Sequence, residues 1–323
     1  MPLVVSFVVR KCKSSMIKAR IISLNVGIYK VMTEDNQELS CKCQGKFRNY
    51  RVDNNSDFKA NKNRLSTKQD THNIKLSPKV GDFCYIENNM ITKLLPRKNN
   101  LIRPDVSNID QALLVFAAKE PDFSFYLLDL FLVNISKENI EPLIVVSKID
   151  KCSPDELFKL QENLSYYERV LGYRIFYVNS KKDYPRDLVD CLNDKTTIVA
   201  GQTGAGKSTL INAIIPGFNL QTNEISFALG RGKHTTRVAS LYPFKNGYLG
   251  DTPGFSKLDL QGIAEAELKQ YFKEFNNYHC KFNDCLHKEN TKGCEIRNHL
   301  GEEILESRYE NYLKMLKTIG ERR

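Results

Sequence analysis

The sequence lacks the long apolar segments that cross membranes or direct secretion. Residues 2–9 are apolar, but Arg10 follows them closely and no small-residue cleavage pattern comes next. No later stretch approaches the roughly 20 consecutive apolar residues of a membrane helix. We therefore expect neither a signal peptide nor a membrane partner, and we expect a cytoplasmic protein.

A disulfide framework is not expected either, because cysteines in a reducing compartment remain thiols. Three of the nine cysteines cluster within residues 280–294, and clustering of this kind indicates a metal site. The others are scattered, and we interpret most of them as small buried apolar side chains. They are Cys12, Cys41, Cys43, Cys84, Cys152 and Cys191.

Acidic residues are scarce in the first third of the chain. Residues 1–100 hold 19 Lys and Arg against 8 Asp and Glu, whereas residues 101–323 hold 29 against 30. The net charge of +10 therefore comes from the N-terminal part. Charge alone leaves two interpretations open: a solvated basic surface, or a surface that binds a polyanion such as nucleic acid.

The most specific motif is a phosphate loop that matches G-x-x-x-x-G-K-[ST] in full. A β-strand is predicted at residues 196–200 and a helix at residues 207–215, which is the context that the motif requires. The glycines let backbone N–H groups surround a β-phosphate, Lys207 reaches the β- and γ-phosphates, and Ser208 is a ligand for Mg²⁺. The loop and the start of its helix read Gly201, Gln202, Thr203, Gly204, Ala205, Gly206, Lys207, Ser208 and Thr209.

The chain is long enough for two or three domains. After a flexible extension at residues 1–15, short strands with turn residues between them predict a small β-barrel over residues 16–98. Residues 51–77 interrupt it as a polar, basic loop. A five-stranded barrel with such a loop is typical of the oligonucleotide-binding (OB) fold, and we expect it to bind RNA.

From residue 99 to residue 258, strands and helices alternate in the pattern of a mostly parallel, doubly wound α/β sheet. The phosphate loop follows the fourth strand of this domain, whereas in an ordinary GTPase it follows the first. Ser147-Lys148-Ile149-Asp150 ends an earlier strand and resembles the guanine-reading motif Asn-Lys-x-Asp, although a strand-end turn has the same composition. Asp150 is suited to bind the guanine edge and the stem of Lys148 to cover the base, with backbone contacts from Asn179 and Ser180.

Two further motifs follow the phosphate loop. In Gly250-Asp-Thr-Pro-Gly-Phe255, Asp251 is placed to hold Mg²⁺ through water and the N–H of Gly254 to bind the γ-phosphate. Upstream, Thr235 or Thr236 is a candidate Mg²⁺ ligand. Phe255 occupies the place where familiar GTPases have a glutamine that orients water. Together these motifs predict a GTPase whose sequence order is circularly permuted.

Residues 259–323 are predicted to form a small zinc-binding domain that ends in an amphipathic helix over residues 300–319. Three thiolates and one imidazole make a closed tetrahedral set, which suits one structural Zn²⁺. The predicted ligands are Cys280, Cys285, His287 and Cys294. In the last helix, Arg308, Tyr309 and Tyr312 are candidates for stacking on RNA bases, and packing in a core is the alternative interpretation of the two tyrosines.

The chain resembles the small-ribosomal-subunit-dependent GTPases of the RsgA/YjeQ type from about Ile17 to Leu316. The resemblance rests on the permuted GTPase motifs, on the cysteine cluster and on several shorter sequences. These are Gly45-Lys-Phe-Arg48, Leu95-Pro-Arg-Lys98, Arg103-Pro-Asp-Val-Ser-Asn-Ile-Asp-Gln-Ala112, Pro121-Asp-Phe123, Arg231-Gly-Lys-His-Thr-Thr236 and Arg308-Tyr-Glu-Asn-Tyr312.

The resemblance implies a GTP hydrolase that acts in late maturation of the small ribosomal subunit and binds its rRNA. The subunit is expected to stimulate hydrolysis, and hydrolysis is expected to release the protein. It also implies that His234 positions the attacking water, although a solvated loop histidine is the simpler interpretation. We expect a monomer. Two alternatives remain: a nucleotide-gated RNA-binding module with little or no hydrolysis, and a permuted phosphate-loop enzyme of relaxed base choice.

Three departures from the family pattern bear on these expectations. Ser147 replaces the usual Asn, from which we expect weaker or less selective guanine binding. Leu130 replaces the usual Arg. One extra residue separates His287 from Cys294, with Asn290-Thr-Lys-Gly293 where a different turn is usual, and we expect the loop to absorb it.

Overall fold

The fold comes from a computed structural model, which describes residues 16–45, 77–102, 104–179, 184–214, 239–251 and 259–321. The chain divides into two compact units, Met1–Arg97 and Lys98–Arg323. The predicted extension at residues 1–15 lies outside the described residues, and so does the predicted basic loop except for Ser77. The finer division at residue 258 stays a prediction. Among the described residues, no helix combines the length and apolar character that crossing a membrane requires.

The first unit contains the predicted five-stranded barrel. Its strands are β1 (Ile17–Asn25), β2 (Ile28–Thr33), β3 (Glu38–Cys43), β4 (Phe83–Glu87) and β5 (Met90–Leu94). They neighbour one another in the order β2, β3, β5, β4, β1, and β1 pairs again with β2 to close the barrel. Only β3 and β5 are parallel within this set. Closure leaves each strand with two partners, which removes exposed sheet edges.

Three cysteines belong to the apolar interior of this barrel. Cys41 and Cys84 are buried, and Cys43 packs against the same cluster. Burial raises the pKa of Cys41, and it raises the pKa of Cys84 to about 12. The thiols of Cys41 and Cys84 therefore stay protonated at neutral pH. The burial of Cys41 and the packing of Cys43 agree with their interpretation as packing groups.

The second unit contains the predicted α/β sheet. Its strands are β6 (Gln111–Ala117), β7 (Glu141–Ser147), β8 (Arg174–Tyr177), β9 (Thr196–Gly201), β10 (Ser240–Phe244) and β11 (Gly247–Asp251). Within this unit their order is β10, β11, β9, β6, β7, β8. All neighbours are parallel except β10 and β11. The uniformly buried β6 and β9 explain why these strands appear in the sequence as apolar runs without alternation.

Four helices accompany these strands, and the last of them follows the phosphate loop as predicted. They are α1 (Phe125–Lys137), α2 (Pro154–Arg169), α3 (Arg186–Asp190) and α4 (Lys207–Ile214). Ser153 precedes α2 and forms a capping box with Glu156. The Ser153 hydroxyl accepts a hydrogen bond from the backbone N–H of Glu156, and the Glu156 carboxylate accepts one from the backbone N–H of Ser153. This arrangement satisfies two N–H groups that a helix start otherwise leaves without partners.

The C-terminal region consists of short helices followed by one long helix. Its helices are α5 (Glu265–Leu268), α6 (Glu295–Asn298) and α7 (Glu306–Gly320). The predicted start of the last helix at Leu300 is wrong. Gly301 has a positive φ of 81°, and its backbone N–H donates to the carbonyl of Ile304 in a local turn. The helix therefore begins only at Glu306.

This C-terminal region shares its apolar core with α1. Leu130 and Val133 of α1 pack in one cluster with Phe272, Tyr312 and other buried side chains. Leu130 is 8% exposed, and a long cationic side chain would lose hydration there. The Leu that departs from the family pattern therefore has a packing role in this chain.

A buried ionic network joins the same elements. Arg308 of α7, 2% exposed, donates to Glu274 over 2.6 Å and to the carboxylate of Asp129 in α1. The other Asp129 oxygen accepts from Asn311 over 2.7 Å, and Tyr167 of α2 donates to Asp129 over 2.9 Å. The network thus joins α7 to both helices that flank β7 in sequence.

The structure decides between the two interpretations of the last helix. Arg308, Tyr309 and Tyr312 are all buried, and Tyr312 has no exposed surface. A side chain enclosed by its own core offers no face on which a base can stack. The RNA-stacking interpretation of these residues is wrong, and they are core residues.

Replacing Arg308 with Met should destabilise this unit strongly. The change leaves Asp129 and Glu274 buried without their cation, and we expect the free energy of unfolding to fall by about 3–5 kcal/mol. Denaturant unfolding would measure it. Lys314→Met is the matched control, because Lys314 is exposed on the same helix, and it should change stability by less than about 0.5 kcal/mol. Equal stability of the two variants would contradict the role assigned to the network.

Candidate functional site

The phosphate loop connects the end of β9 to the start of α4. Three glycines in it have positive φ, with 122° at Gly201, 79° at Gly204 and 81° at Gly206. A Cβ atom at Gly201 would lie 2.1 Å from the carbonyl oxygen of Val115 in β6. Only glycine fits this close approach of two backbones, so the first glycine of the motif is required by the neighbouring strand as well as by the turn.

Lys207 stands where the loop becomes a helix. Its ammonium group donates to the carbonyls of Gly201 over 3.0 Å and Gln202 over 2.7 Å. The ammonium is thus held at the first two residues of the loop. Thr203 and Gly204 at the tip of the loop are exposed, and Ser208 and Thr209 are half-buried in the first turn of α4.

The base motif begins at the end of β7, beside this loop. Lys148 adopts a left-handed conformation with φ 56°, and a 3-10 helix follows at Ile149–Lys151. The ammonium of Lys148 donates to the carbonyl of Glu120, and the carboxylate-bearing Asp150 is exposed. Asn179 follows β8 and is half-buried.

Ser147 makes a contact that the sequence analysis missed. Its hydroxyl is completely buried, lies 2.5 Å from the carbonyl oxygen of Ala205 in the phosphate loop, and lies 3.2 Å from that of Phe116. A hydroxyl has one proton to donate, and the shorter distance assigns it to Ala205. Ser147 therefore joins the base strand to the phosphate loop directly, although the residue that usually stands here is a longer amide. No local pattern in the sequence signals a contact between residues so far apart.

Several predicted site residues have no described side chain. Ser180, His234, Thr235, Thr236 and Gly254 lie outside the described residues. The backbone of Asp251 ends β11, where it pairs with Val199 in β9, so residue 251 lies at the same sheet edge as the phosphate loop. Their roles stay predictions.

A second cluster brings Cys280, Cys285, His287 and Cys294 together, with their ligand atoms all within 4.8 Å of one another. The three sulfurs lie 3.4, 3.5 and 3.5 Å from Nδ1 of His287, and the sulfurs of Cys280 and Cys294 are 3.9 Å apart. A tetrahedral Zn²⁺ site requires roughly 3.5 Å between sulfur and nitrogen and roughly 3.8 Å between sulfurs. The four side chains can therefore hold a metal ion, and no other candidate group occurs among the described residues.

Helix α7 and a glycine turn hold the ligand loops in place. Tyr309 donates to the carbonyl of His287 over 2.7 Å, and Tyr312 donates to that of Leu286 over 2.7 Å. Gly293 has φ 72°, and its carbonyl accepts from the N–H of Lys281 over 3.0 Å. Hydrogen bonds that hold the loops around a metal site orient its ligands. The thiol of Cys294 lies with the other three ligand atoms, although one extra residue separates it from His287.

Burial shifts the pKa values of two of these ligands, His287 and Cys294. It lowers the pKa of His287 to about 4, so the imidazole is neutral at neutral pH and has a lone pair to offer. Burial raises the pKa of Cys294 to about 12, so this thiol keeps its proton until a cation displaces it. Metal uptake here is therefore expected to release protons.

Comparison with known proteins agrees with this geometry. The RsgA GTPase family matches residues 94–261. A Phytoplasma australiense protein called small ribosomal subunit biogenesis GTPase RsgA is 42% identical over 314 residues, which are 94% of this chain and 97% of the relative. A protein of the same name from Halalkalibacterium halodurans is 39% identical, with the same coverage. The chain belongs to the RsgA GTPase family.

Solved structures of similar proteins support the fold of this RsgA-family GTPase. YjeQ from Thermotoga maritima is 33% identical, with a TM-score of 0.77 over 96% of this chain and all of the other. YloQ, described as a circularly permuted GTPase, is 31% identical, with a TM-score of 0.72 over 96% of each chain. The predicted fold class and the permuted motif order are confirmed.

Replacing Cys285 with Ser should remove most of the bound metal from this RsgA-family protein. The thiol is buried, and a hydroxyl is a poor substitute for a thiolate ligand, so the C-terminal core should also melt at lower temperature. Metal content per chain and the thermal midpoint are the measurements. Cys191→Ser, outside the cluster, is the control and should leave the metal content unchanged. Full metal content in Cys285→Ser would contradict the assignment of this cluster.

Proposed function

We propose that the chain hydrolyses GTP during biogenesis of the small ribosomal subunit and binds its rRNA. The observation that carries this proposal is the joining of a phosphate loop to a permuted base motif through the Ser147 hydroxyl. Such an arrangement suits a ligand with a base at one end and phosphates at the other. The names of the relatives, small ribosomal subunit biogenesis GTPase, support the choice of partner.

Different residues of the site are proposed to bind the phosphates and the base of the nucleotide. Backbone N–H groups of residues 201–207 would surround the β-phosphate, with Lys207 turning from its loop carbonyls to the β- and γ-phosphates. Asp150 would accept from the guanine edge while the stem of Lys148 lies beside the base. Asn179 and Ser180 would add backbone contacts to the base. GDP would use the same contacts except those to the γ-phosphate.

Magnesium is expected to accompany GTP, because hard cations prefer hydroxyl and carboxylate oxygens and phosphate. Ser208 at the start of α4 would hold it directly and Asp251 through water, with Thr235 or Thr236 completing the set. When bound, the ion neutralises charge that develops on the phosphates. The N–H of Gly254 would bind the γ-phosphate. Thr209, in the first turn of α4, is the last of the proposed nucleotide-binding residues in this motif.

His234 is the proposed group that positions the attacking water. Phe255 stands where a glutamine would otherwise perform this role, and a phenyl ring has no donor or acceptor for water. An imidazole can accept a proton or orient a water near neutral pH. The proposal for His234 is supported by the family resemblance and by its place between two GTPase motifs.

The partner surface is proposed to lie on the N-terminal unit. The excess of Lys and Arg in residues 1–100 suits phosphate contacts, which supply most non-specific affinity for nucleic acids. GTP hydrolysis would release the protein, which would act as a monomer in the cytoplasm. The metal in the Cys₃His cluster is proposed to be one structural Zn²⁺, because three thiolates and an imidazole leave no open coordination position.

The alternative is a nucleotide-gated RNA-binding module with little or no hydrolysis. Phe255 in place of a water-orienting residue favours it. The contact of Ser147 with the phosphate loop favours intact nucleotide binding under either function, so only turnover separates them.

Steady-state phosphate release from GTP, with and without purified small ribosomal subunits, would test the function. We expect slow hydrolysis alone and a large rise with subunits, because the subunit would stabilise the conformation in which His234 engages. His234→Ala should lose most of the rise while still binding GTP. Lys207→Ala is the control that should lose hydrolysis under all conditions. Binding without turnover in the unaltered protein would establish the alternative.

Replacing Ser147 with Ala should weaken binding of GDP and GTP by about threefold to tenfold. The change removes one hydrogen bond between the base strand and the phosphate loop, and that range corresponds to about 1 kcal/mol. Equilibrium titration with a fluorescent GDP analogue would measure it. Ser307→Ala, an exposed serine in α7, is the matched control. Unchanged affinity in Ser147→Ala would show that the contact does not support the site.

A further inference from the structure

A short segment between β6 and α1 lies between the two halves of the nucleotide site. This bridging segment comprises residues 118–122, Ala118 to Asp122. The N–H of Ala118 bonds to the carbonyl of Ser147 over 2.8 Å at the base-binding side. Pro121 lies on the other side, where its Cδ would be 3.5 Å from a Cβ placed on Gly204 of the phosphate loop. The segment therefore touches both halves of the site.

Glu120 connects the bridging segment to the base motif. Its carbonyl accepts a hydrogen bond from the ammonium of Lys148, and its carboxylate pairs with the ammonium of Lys151. The ion pair is solvent-accessible and contributes little free energy by itself. The hydrogen bond from Lys148 to the Glu120 carbonyl, however, fixes the position of the Lys148 side chain, which is expected to lie beside the base.

Gln202 connects the bridging segment to the phosphate loop. Its side-chain Nε2 donates to the carbonyl of Asp122 over 2.8 Å, and its Oε1 accepts from the N–H of Ala117 over 3.4 Å. Its backbone N–H bonds to the carbonyl of Val115 over 3.0 Å. The side chain at this variable position of the motif thus binds protein groups beside the loop, while its backbone belongs to the loop itself.

These contacts form one short path from base to phosphate. It runs from Lys148 to the Glu120 carbonyl, along the backbone to Asp122, and through the Gln202 amide into the phosphate loop. Ser147 reaches the same loop at Ala205, nearer its helical end. The loop is therefore joined to the base-binding side at two points, one at each end.

We propose that Gln202 is a positioning residue that sets the spacing between the base-binding and phosphate-binding halves of the site. A ligand that occupies both halves gains affinity only when their spacing matches its own length, since the second contact is then intramolecular. A ligand that occupies one half does not depend on that spacing. This inference rests on the proposed function, because it takes a guanine nucleotide to be the ligand.

The test compares a ligand that spans the site with ligands that occupy one half. Gln202→Ala removes both side-chain hydrogen bonds, and Gln202→Met removes them while keeping the length of the side chain. Affinities for GDP, for guanosine and for pyrophosphate with Mg²⁺ would be measured by competition against a fluorescent GDP analogue. Gln161→Ala, an exposed glutamine in α2, is the matched control.

We expect both Gln202 variants to bind GDP about threefold to tenfold more weakly, with guanosine and pyrophosphate changed by less than about twofold. Unchanged GDP affinity would overturn the inference. So would a parallel loss for all three ligands, because Gln202 would then maintain the shape of the loop and not the spacing. Normal GDP binding by Gln202→Met would overturn it as well. Failure of the unaltered protein to bind GDP would instead refute the proposed function.

Discussion

The parallel pairing of β6 with β9 is the constraint on which the nucleotide site depends. Because the two strands run in the same direction, the turn after β6 and the phosphate loop after β9 emerge at one edge of the sheet. Val115 pairs with Gly201 so closely that no side chain fits on the glycine. The base motif at the end of β7 reaches the same edge through its pairing with β6. Despite the permuted order of the motifs, the base motif and the phosphate loop therefore lie at one sheet edge.

The C-terminal region is built into this unit through α1. In α1, the buried Asp129 binds Arg308 of α7, and Leu130 packs in the same core as the buried metal ligands. Helix α7 also carries Tyr309 and Tyr312, which donate to the carbonyls of His287 and Leu286. One helix thus carries both the ionic contact with α1 and the bonds that shape the metal cluster. A metal ion there would support packing against α1, since a folded ligand loop is what both tyrosines contact.

Much of the fold could be predicted from local patterns. Apolar runs located the strands, the phosphate loop located β9 and α4, and four ligand-type side chains within fifteen residues located the metal cluster. Errors arose where a distant contact or a single backbone angle decided the outcome. Because Gly301 has a positive φ, α7 begins at Glu306 and not at residue 300, where the amphipathic pattern begins. Arg308 was a candidate for stacking on RNA, and its burial could not be predicted because the two carboxylates that neutralise it come from remote parts of the chain.

Local sequence patterns reveal the chemistry available to this protein: a loop that binds phosphates, a motif that suits guanine, and a set of thiols and an imidazole that suits a metal. Each depends on residues close together in the chain, so spacing alone reveals it. Tertiary structure decided how these parts are joined. The Ser147 hydroxyl meets Ala205 across 58 residues, and the Gln202 amide meets Asp122 across 80. Both contacts arise because parallel strands bring distant segments to one sheet edge, which is why no local pattern predicts them.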